Sequence, residues 1–321
     1  MVILGIYLLL KRRHYQTTWG DQRSGIWFSL ARFALLQLTV AHQHVRNWRP
    51  VILVLVGDVK YRRWLVDIAD RLEARRGLLY LAQVLTGDWQ KLLPRQAARQ
   101  EALEAFIREN RFSAVGKTVL ADSLEHGVSI LLQVLGVGAL APNTVLMGWS
   151  DDEQKRRQFV GAIQRILQLE RNLLIHAEPE LPEESLEPVI DVWWRAKVNG
   201  GFMLTLAHLL REGTGGRYRE HPIRVRRIIN NEAGVEDARR GLKAMMAELR
   251  IEAEVDVMVA DGPPLRMIGE RSRHSEMVFI GMALDTAMEE DDPLAIYKPV
   301  VAALKGNIIL CKNWHDLHPS E

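Results

Sequence analysis

A single cysteine, Cys311, in a chain of 321 residues excludes an intrachain disulfide and any metal cluster built from cysteines alone. Surplus charge is also missing. Lys+Arg 42 against Asp+Glu 40 leaves a formal net charge of +2, so no global field points to nucleic acid or to an acidic partner. Long apolar runs are absent as well: the most apolar stretch, Met1 to Leu10, would reach only about 15 Å as a helix, against a hydrocarbon core of roughly 30 Å. Its cations, Lys11-Arg12-Arg13-His14, follow the apolar run instead of preceding it, which is the wrong order for a signal peptide. No phosphate loop is complete. Gly116-Lys117-Thr118 has Arg111 where the loop needs its first glycine, and the triplet lies inside a strand pattern rather than between strand and helix. His42, His44, His315 and His318 have no metal-ligand spacing, and no Ser-His-Asp set can be assigned.

What is present is ordinary globular material, 48% hydrophobic and 26% charged, in a chain long enough for two units. Its clearest element is Val51 to Val56, six apolar residues opened by Pro50 and closed by Gly57-Asp58, the pattern of a strand buried on both faces of a parallel sheet. Proline can only begin such a strand because it has no N–H for the ladder. Beyond it the patterning predicts helices over 61–76, 95–110, 122–135 and 151–176, with strands over 78–85, 114–120 and 144–147.

Residues 178–188 hold five glutamates and three prolines, a helix-breaking, solvated composition that marks a linker. The alternation then repeats. Strands are expected over 189–193, 223–229, 254–259, 277–280 and 307–311, and helices over 202–210, 235–249 and 294–304, with a helical turn at 265–272. Strands alternating with helices imply an α/β fold of two consecutive halves, 46–177 and 189–321, with mostly parallel sheets and right-handed crossovers.

Before the body, Asp21 can cap a helix running to about His44. Ile26, Leu30, Phe33 and Leu38 form one apolar stripe, and Trp27 and Leu35 widen it to a second face, so this helix needs partners on more than one side. Trp193 and Trp194, successive residues of a strand, should point to opposite faces, one into the core and the other under a neighbouring helix. Arg224, Arg226 and Arg227, followed by Arg239, Arg240 and Lys243, lack interleaved exposed aromatics. They read as a solvated face or a contact for acidic lipid rather than a nucleic-acid surface. Gly136 and Gly138 follow a helix and precede a strand, which suits a helix C-cap and a turn better than a dinucleotide fingerprint.

Five stretches in order carry a family resemblance. They are Trp19-Gly20-Asp21 with 29–36 (SLARFALL), 46–55 (RNWRPVILVL), 127–133 (GVSILLQ) with 142–149 (PNTVLMGW), 190–194 (IDVWW) and 249–255 (LRIEAEV). Together they resemble the cytoplasmic C-terminal domain of the cation-chloride cotransporters, most closely the potassium-chloride branch. The resemblance implies two doubly wound halves similar to universal stress proteins. It makes 1–14 the stub of a last transmembrane helix, and 15–45 a connecting helix that crosses its counterpart in a homodimer through Trp27, Leu30, Phe33, Leu35 and Leu38. It implies a non-catalytic regulatory and dimerisation role at the cytoplasmic face of the cell membrane, with transport residing in a separate membrane domain. The alternative is a soluble nucleotide-binding protein of the universal-stress type. The long phosphorylated insertion of the animal relatives has no counterpart here, because Val257 runs almost directly into Asp261-Gly262-Pro263-Pro264.

Some members of the resembled family carry an adenine nucleotide. The expected place is the carboxyl end of the first strand, at Gly57, beside Gly148, with Arg46 and Arg49 as cations for phosphate. Asp58, Asp151 and Asp152 oppose an anion there, so any ATP or ADP is expected to bind weakly, without hydrolysis.

Overall fold

The structure, a computed structural model, describes residues 22–40, 48–59, 61–178, 186–195, 197–213, 216–285 and 291–314. The expected transmembrane stub over 1–14, the Trp19 motif, Arg46, the four histidines named above and most of the expected 178–188 linker lie outside the described residues.

The chain divides into two compact units, residues 1–42 with 137–139, and the remainder. In the first, α1 (Gln22–Val40) is a helix of 19 residues. Trp27, Phe28 and Phe33 are 67%, 71% and 63% exposed, Ile26, Leu30, Leu35 and Leu36 are exposed with them, and Leu38 is half-buried. Apolar side chains thus surround the helix. Among the described residues no helix is long and apolar enough to cross a membrane.

The second unit is built on a single ten-stranded sheet. Its first five strands are β1 (Val51–Leu55), β2 (Leu78–Thr86), β3 (Ala114–Ala121), β4 (Thr144–Gly148) and β5 (Asn172–Ala177). The last five are β6 (Glu187–Trp193), β7 (Ile223–Ile229), β8 (Glu254–Val259), β9 (Ser275–Gly281) and β10 (Asn307–Lys312). The order across the sheet is β3-β2-β1-β4-β5-β10-β9-β6-β7-β8. Each half therefore repeats the doubly wound order 3-2-1-4-5, and the two fifth strands join antiparallel, with Ile175 opposite Leu310. All other neighbours are parallel.

Helices cover both faces. On one lie α2 (Arg63–Glu73), α3 (Trp89–Glu109), α6 (Lys197–Glu212) and α7 (Val235–Leu249), packing on Ile52, Val54, Val192 and Val225. On the other lie α4 (Leu124–Val134), α5 (Glu153–Gln168), α8 (Pro264–Arg271) and α9 (Lys298–Ala303), against Val51, Leu53, Val145 and Ile280. The alternation of β1 residues between the two cores is why that strand reads as continuously apolar. Gly77 shows how closely the backbone must approach: a Cβ there would fall 1.7 Å from the Pro50 carbonyl oxygen, which accepts the Leu78 N–H. Asn143 holds the start of β1, accepting the Val51 N–H and donating to the Arg49 carbonyl at 2.7 Å.

Two expectations are corrected. Residues 151–176 are not one helix: α5 ends at Gln168, Glu170 takes φ +59, and Asn172–Ala177 is β5. Leucine and alanine continue the helical composition through that strand, and only pairing with β4 and β10 makes it extended. Helix α3 also starts earlier than residue 95, because Asp88 caps it by accepting the Gln90 N–H, and it carries Pro94 inside.

Candidate functional site

In the first half, β1 leads on to β2 and β3 before the chain crosses back to β4, so the order of winding reverses between β1 and β4. The crevice at their carboxyl ends is where doubly wound sheets take ligands. Gly57 follows β1 with φ +44 and open space where a Cβ would stand. Its carbonyl accepts from Gln83 Nε2 at 2.5 Å, while the buried Gln83 Oε1 has no partner. Gly148 ends β4, where a Cβ would lie 2.8 Å from Arg62 Nη1 and 3.1 Å from the Trp64 ring. Gly57 and Gly148, paired in the sequence reading, thus end adjacent strands.

Arg62, just before α2, has no ion pair among the described residues, and burial pulls its guanidinium below the usual value. Beside it the Trp64 ring meets the His176 imidazole, with centroids 5.0 Å apart. His176 is fully buried on β5, and desolvation lowers its pKa to about 4, so it is neutral at pH 7. Its Nε2 lies 3.1 Å from Asn307 Oδ1 on β10 and its Nδ1 has no partner. Arg62 and Trp64 therefore meet at Gly148, and Trp64 packs on the fully buried His176. These groups contain no nucleophile–base pair.

Arg49 is not in this crevice. It precedes β1, and a five-residue strand, about 17 Å long, separates it from Gly57. Its Nη1 donates instead to the Arg76 carbonyl at 3.0 Å. Arg62 occupies the position that sequence reasoning assigned to Arg49. The usable signal was the placement of Arg62 and Trp64 directly after Gly57-Asp58, at the entrance to the first crossover helix. The three acids are engaged nearby: Asp58 lies 3.8 Å from Arg99, Asp151 accepts from Trp149 Nε1, and Asp152 caps α5. Arg156, 2% exposed, ties the carbonyls of Ser150 and Asp151 to Asp292 of the second half.

The equivalent crevice of the second half, between β6 and β9, is filled. A Cβ on Gly281 would meet the Asn199 side chain, which donates to the Met282 carbonyl and accepts the Asn313 N–H. A Cβ on Gly200 would strike Trp194 at 2.5 Å. Trp193 and Trp194 do point to opposite cores.

The arginine cluster on β7 departs from the solvated face expected. Arg224 and Arg226 turn inward to the fully buried Asp191 of β6, which also accepts from Ser272 and Ser275. Arg239 and Arg240 pair locally with Glu236 and Asp237. Gly116-Lys117-Thr118 lies within β3, as its pattern indicated. Among the described residues no group of three His, Cys, Asp or Glu side chains could hold a metal ion.

Residues 62–176, from the crevice arginine to the buried histidine, match the family model described as Solute carrier family 12. That segment is similar to a solute carrier family 12 domain. Its fold is similar to that of the cytoplasmic domain of a prokaryotic cation chloride cotransporter, with a TM-score of 0.60 at 13% identity over 84% of this chain and 98% of the other. It is also similar to a universal stress protein from Archaeoglobus fulgidus DSM 4304, with a TM-score of 0.55 at 11% identity over 84% and 99%. At such identities the likeness is one of fold. The matched segment contains every crevice residue except Gly57 and Asn307.

Proposed function

We propose that this chain is the cytoplasmic regulatory and dimerisation domain of a potassium-chloride symporter whose ion path lies in a membrane domain. The observation that carries the reading is the solute carrier family 12 match over 62–176, on a fold like that of a cotransporter cytoplasmic domain. The apolar circumference of α1 supports a helix that packs against its counterpart in a homodimer. In this role the chain works at the cytoplasmic face of the membrane and is not an enzyme. Fused behind the membrane domain of a prokaryotic cation-chloride cotransporter in proteoliposomes, it should alter potassium-dependent chloride flux, and Trp27→Asp with Leu35→Asp should remove that effect. Flux indifferent to the presence of the chain would sink the reading.

The second reading is a soluble nucleotide-binding protein of the universal-stress type, favoured by the likeness of fold and by the crevice at Gly57, Arg62 and Gly148. The acidic sequence Ser150-Asp151-Asp152 after β4 argues for weak ATP or ADP binding of a regulatory kind. Submicromolar ATP affinity by calorimetry, with turnover, would favour this second reading over the first.

A further inference from the structure

The ten-stranded sheet has two edges, β3 and β8, which the internal repeat makes counterparts. They are finished differently. On β3 the Thr118 N–H donates to Gln100 Oε1 at 2.7 Å, Gln100 Nε2 donates to the Gly116 carbonyl at 3.0 Å, and Gln96 Nε2 donates to the Thr118 carbonyl at 3.1 Å. Side-chain amides of α3 thus stand where another strand would lie, and the exposed Lys117 adds a charge.

Strand β8 has no side-chain amide bonded to its outward backbone groups among the described residues, and its charges are those of Glu254 and Asp256. It pairs with β7 from Arg224↔Glu254 to Ile229↔Val259 without a bulge, and contains neither lysine nor proline. The Ala260 N–H donates inward to the Ile229 carbonyl. Successive backbone groups of a strand alternate in direction, so those of Val255, Val257 and Val259 point off the sheet. Among the described residues no hydrogen bond reaches these outward groups.

We propose that β8 is a dimerisation edge that pairs antiparallel with β8 of a second copy, about a two-fold axis through Val257. A second copy is the occupant because β3 is closed: addition of β8 to β3, which would propagate as a filament, is blocked, whereas self-pairing closes after two chains. The molecule already joins two similar halves by antiparallel edge pairing at β5 and β10. Charge selects the register. Centring the axis on Asp256 would set two carboxylates face to face, whereas centring it on Val257 sets Val255 opposite Val259, Asp256 opposite Met258 and Glu254 opposite Ala260. Asp256 keeps its own partner, Arg226, at 3.4 Å. All outward N–H and C=O groups of the three valines are then satisfied.

Cross-linking of the full chain tests this without depending on the arm. In the proposed register the two Val257 Cα atoms stand about 5.5 Å apart, within disulfide reach. Two Val255 positions lie four residues out of step, about 14 Å apart. Under mild oxidation Val257→Cys should become mostly covalent dimer, Val255→Cys should not, and the double variant Val255→Cys/Val259→Cys should. The wild-type chain supplies the background, since Cys311 is buried. Adding Val257→Pro to the double variant removes an outward N–H and no bond to β7, and should cut its cross-linking at least tenfold. Circular dichroism verifies that the proline chain is folded; should it not be, Val259→Pro in the Val257→Cys chain replaces it. Equal cross-linking of Val257→Cys and Val255→Cys, or yields unmoved by proline in a folded chain, overturns the proposal.

Discussion

Asp191 on β6 and Arg224 on β7 meet in a bidentate pair, with Nε 2.7 Å and Nη2 3.1 Å from the two carboxylate oxygens. Asp191 is wholly inaccessible, and Ser272 and Ser275 complete its hydrogen bonds at 2.5 and 2.7 Å. Removing one partner leaves the other charge in a medium that cannot solvate it. Asp191→Ala should therefore cost about 3–5 kcal/mol. Urea unfolding of the variant measures this, and a loss below about 1 kcal/mol would mean that water reaches the arginines.

His176 predicts a pH dependence. Its folded pKa is about 4 and its reference value 6.5, so between these pH values the unfolded chain binds the proton more readily than the folded one. The stability contributed by the neutral, buried ring is full above pH 6.5 and is lost as pH falls toward 4, by roughly 3 kcal/mol in total. Thermal midpoints of the wild type should fall across this window more steeply than those of His176→Gln. Parallel slopes would assign the acid sensitivity to other groups.

For the crevice, Arg62→Ala should weaken the calorimetric response to ATP, whereas Arg49→Ala should leave it unchanged, since Arg49 belongs to the opposite end of β1. Loss of a charge-assisted contact is worth about 1.5–3 kcal/mol, or at least tenfold in affinity. Equal effects of the two substitutions would remove the phosphate role from Arg62.

The arm makes a separate prediction. Burying Trp27 and Leu35 contributes about 1.5–3 kcal/mol each before association entropy is subtracted. Trp27→Asp with Leu35→Asp should raise the dimer dissociation constant by at least tenfold in sedimentation equilibrium. An unchanged constant would place the main contact elsewhere.

Local pattern made most of the strands readable. Val51 to Val56 could only be a doubly buried strand, because no amphipathic face is present, and the helix over 235–249 and the strands over 223–229 and 254–259 fall where periodicity predicts. Residues 172–177 were not readable: Asn172-Leu173-Leu174-Ile175-His176-Ala177 suits a helix as well as a strand, and the choice comes from partners distant in sequence. The crevice was half legible. Gly57 and Gly148 stand out beside their strands, but the cation next to Gly148 is Arg62 and not Arg49, because linear proximity does not reveal which end of a strand a side chain reaches.

The sequence by itself determined the alternation of strands and helices, the apolar circumference of the arm and the lack of a phosphate loop, since each depends on residues within a few turns of one another. Only the tertiary structure decided that two halves share one sheet through β5 and β10, that Arg224 and Arg226 turn inward to Asp191, and that β3 is closed while β8 is open. Those outcomes depend on which strand lies beside which. That choice is made by burial and hydrogen bonding between segments far apart in the chain, where no local period carries a signal.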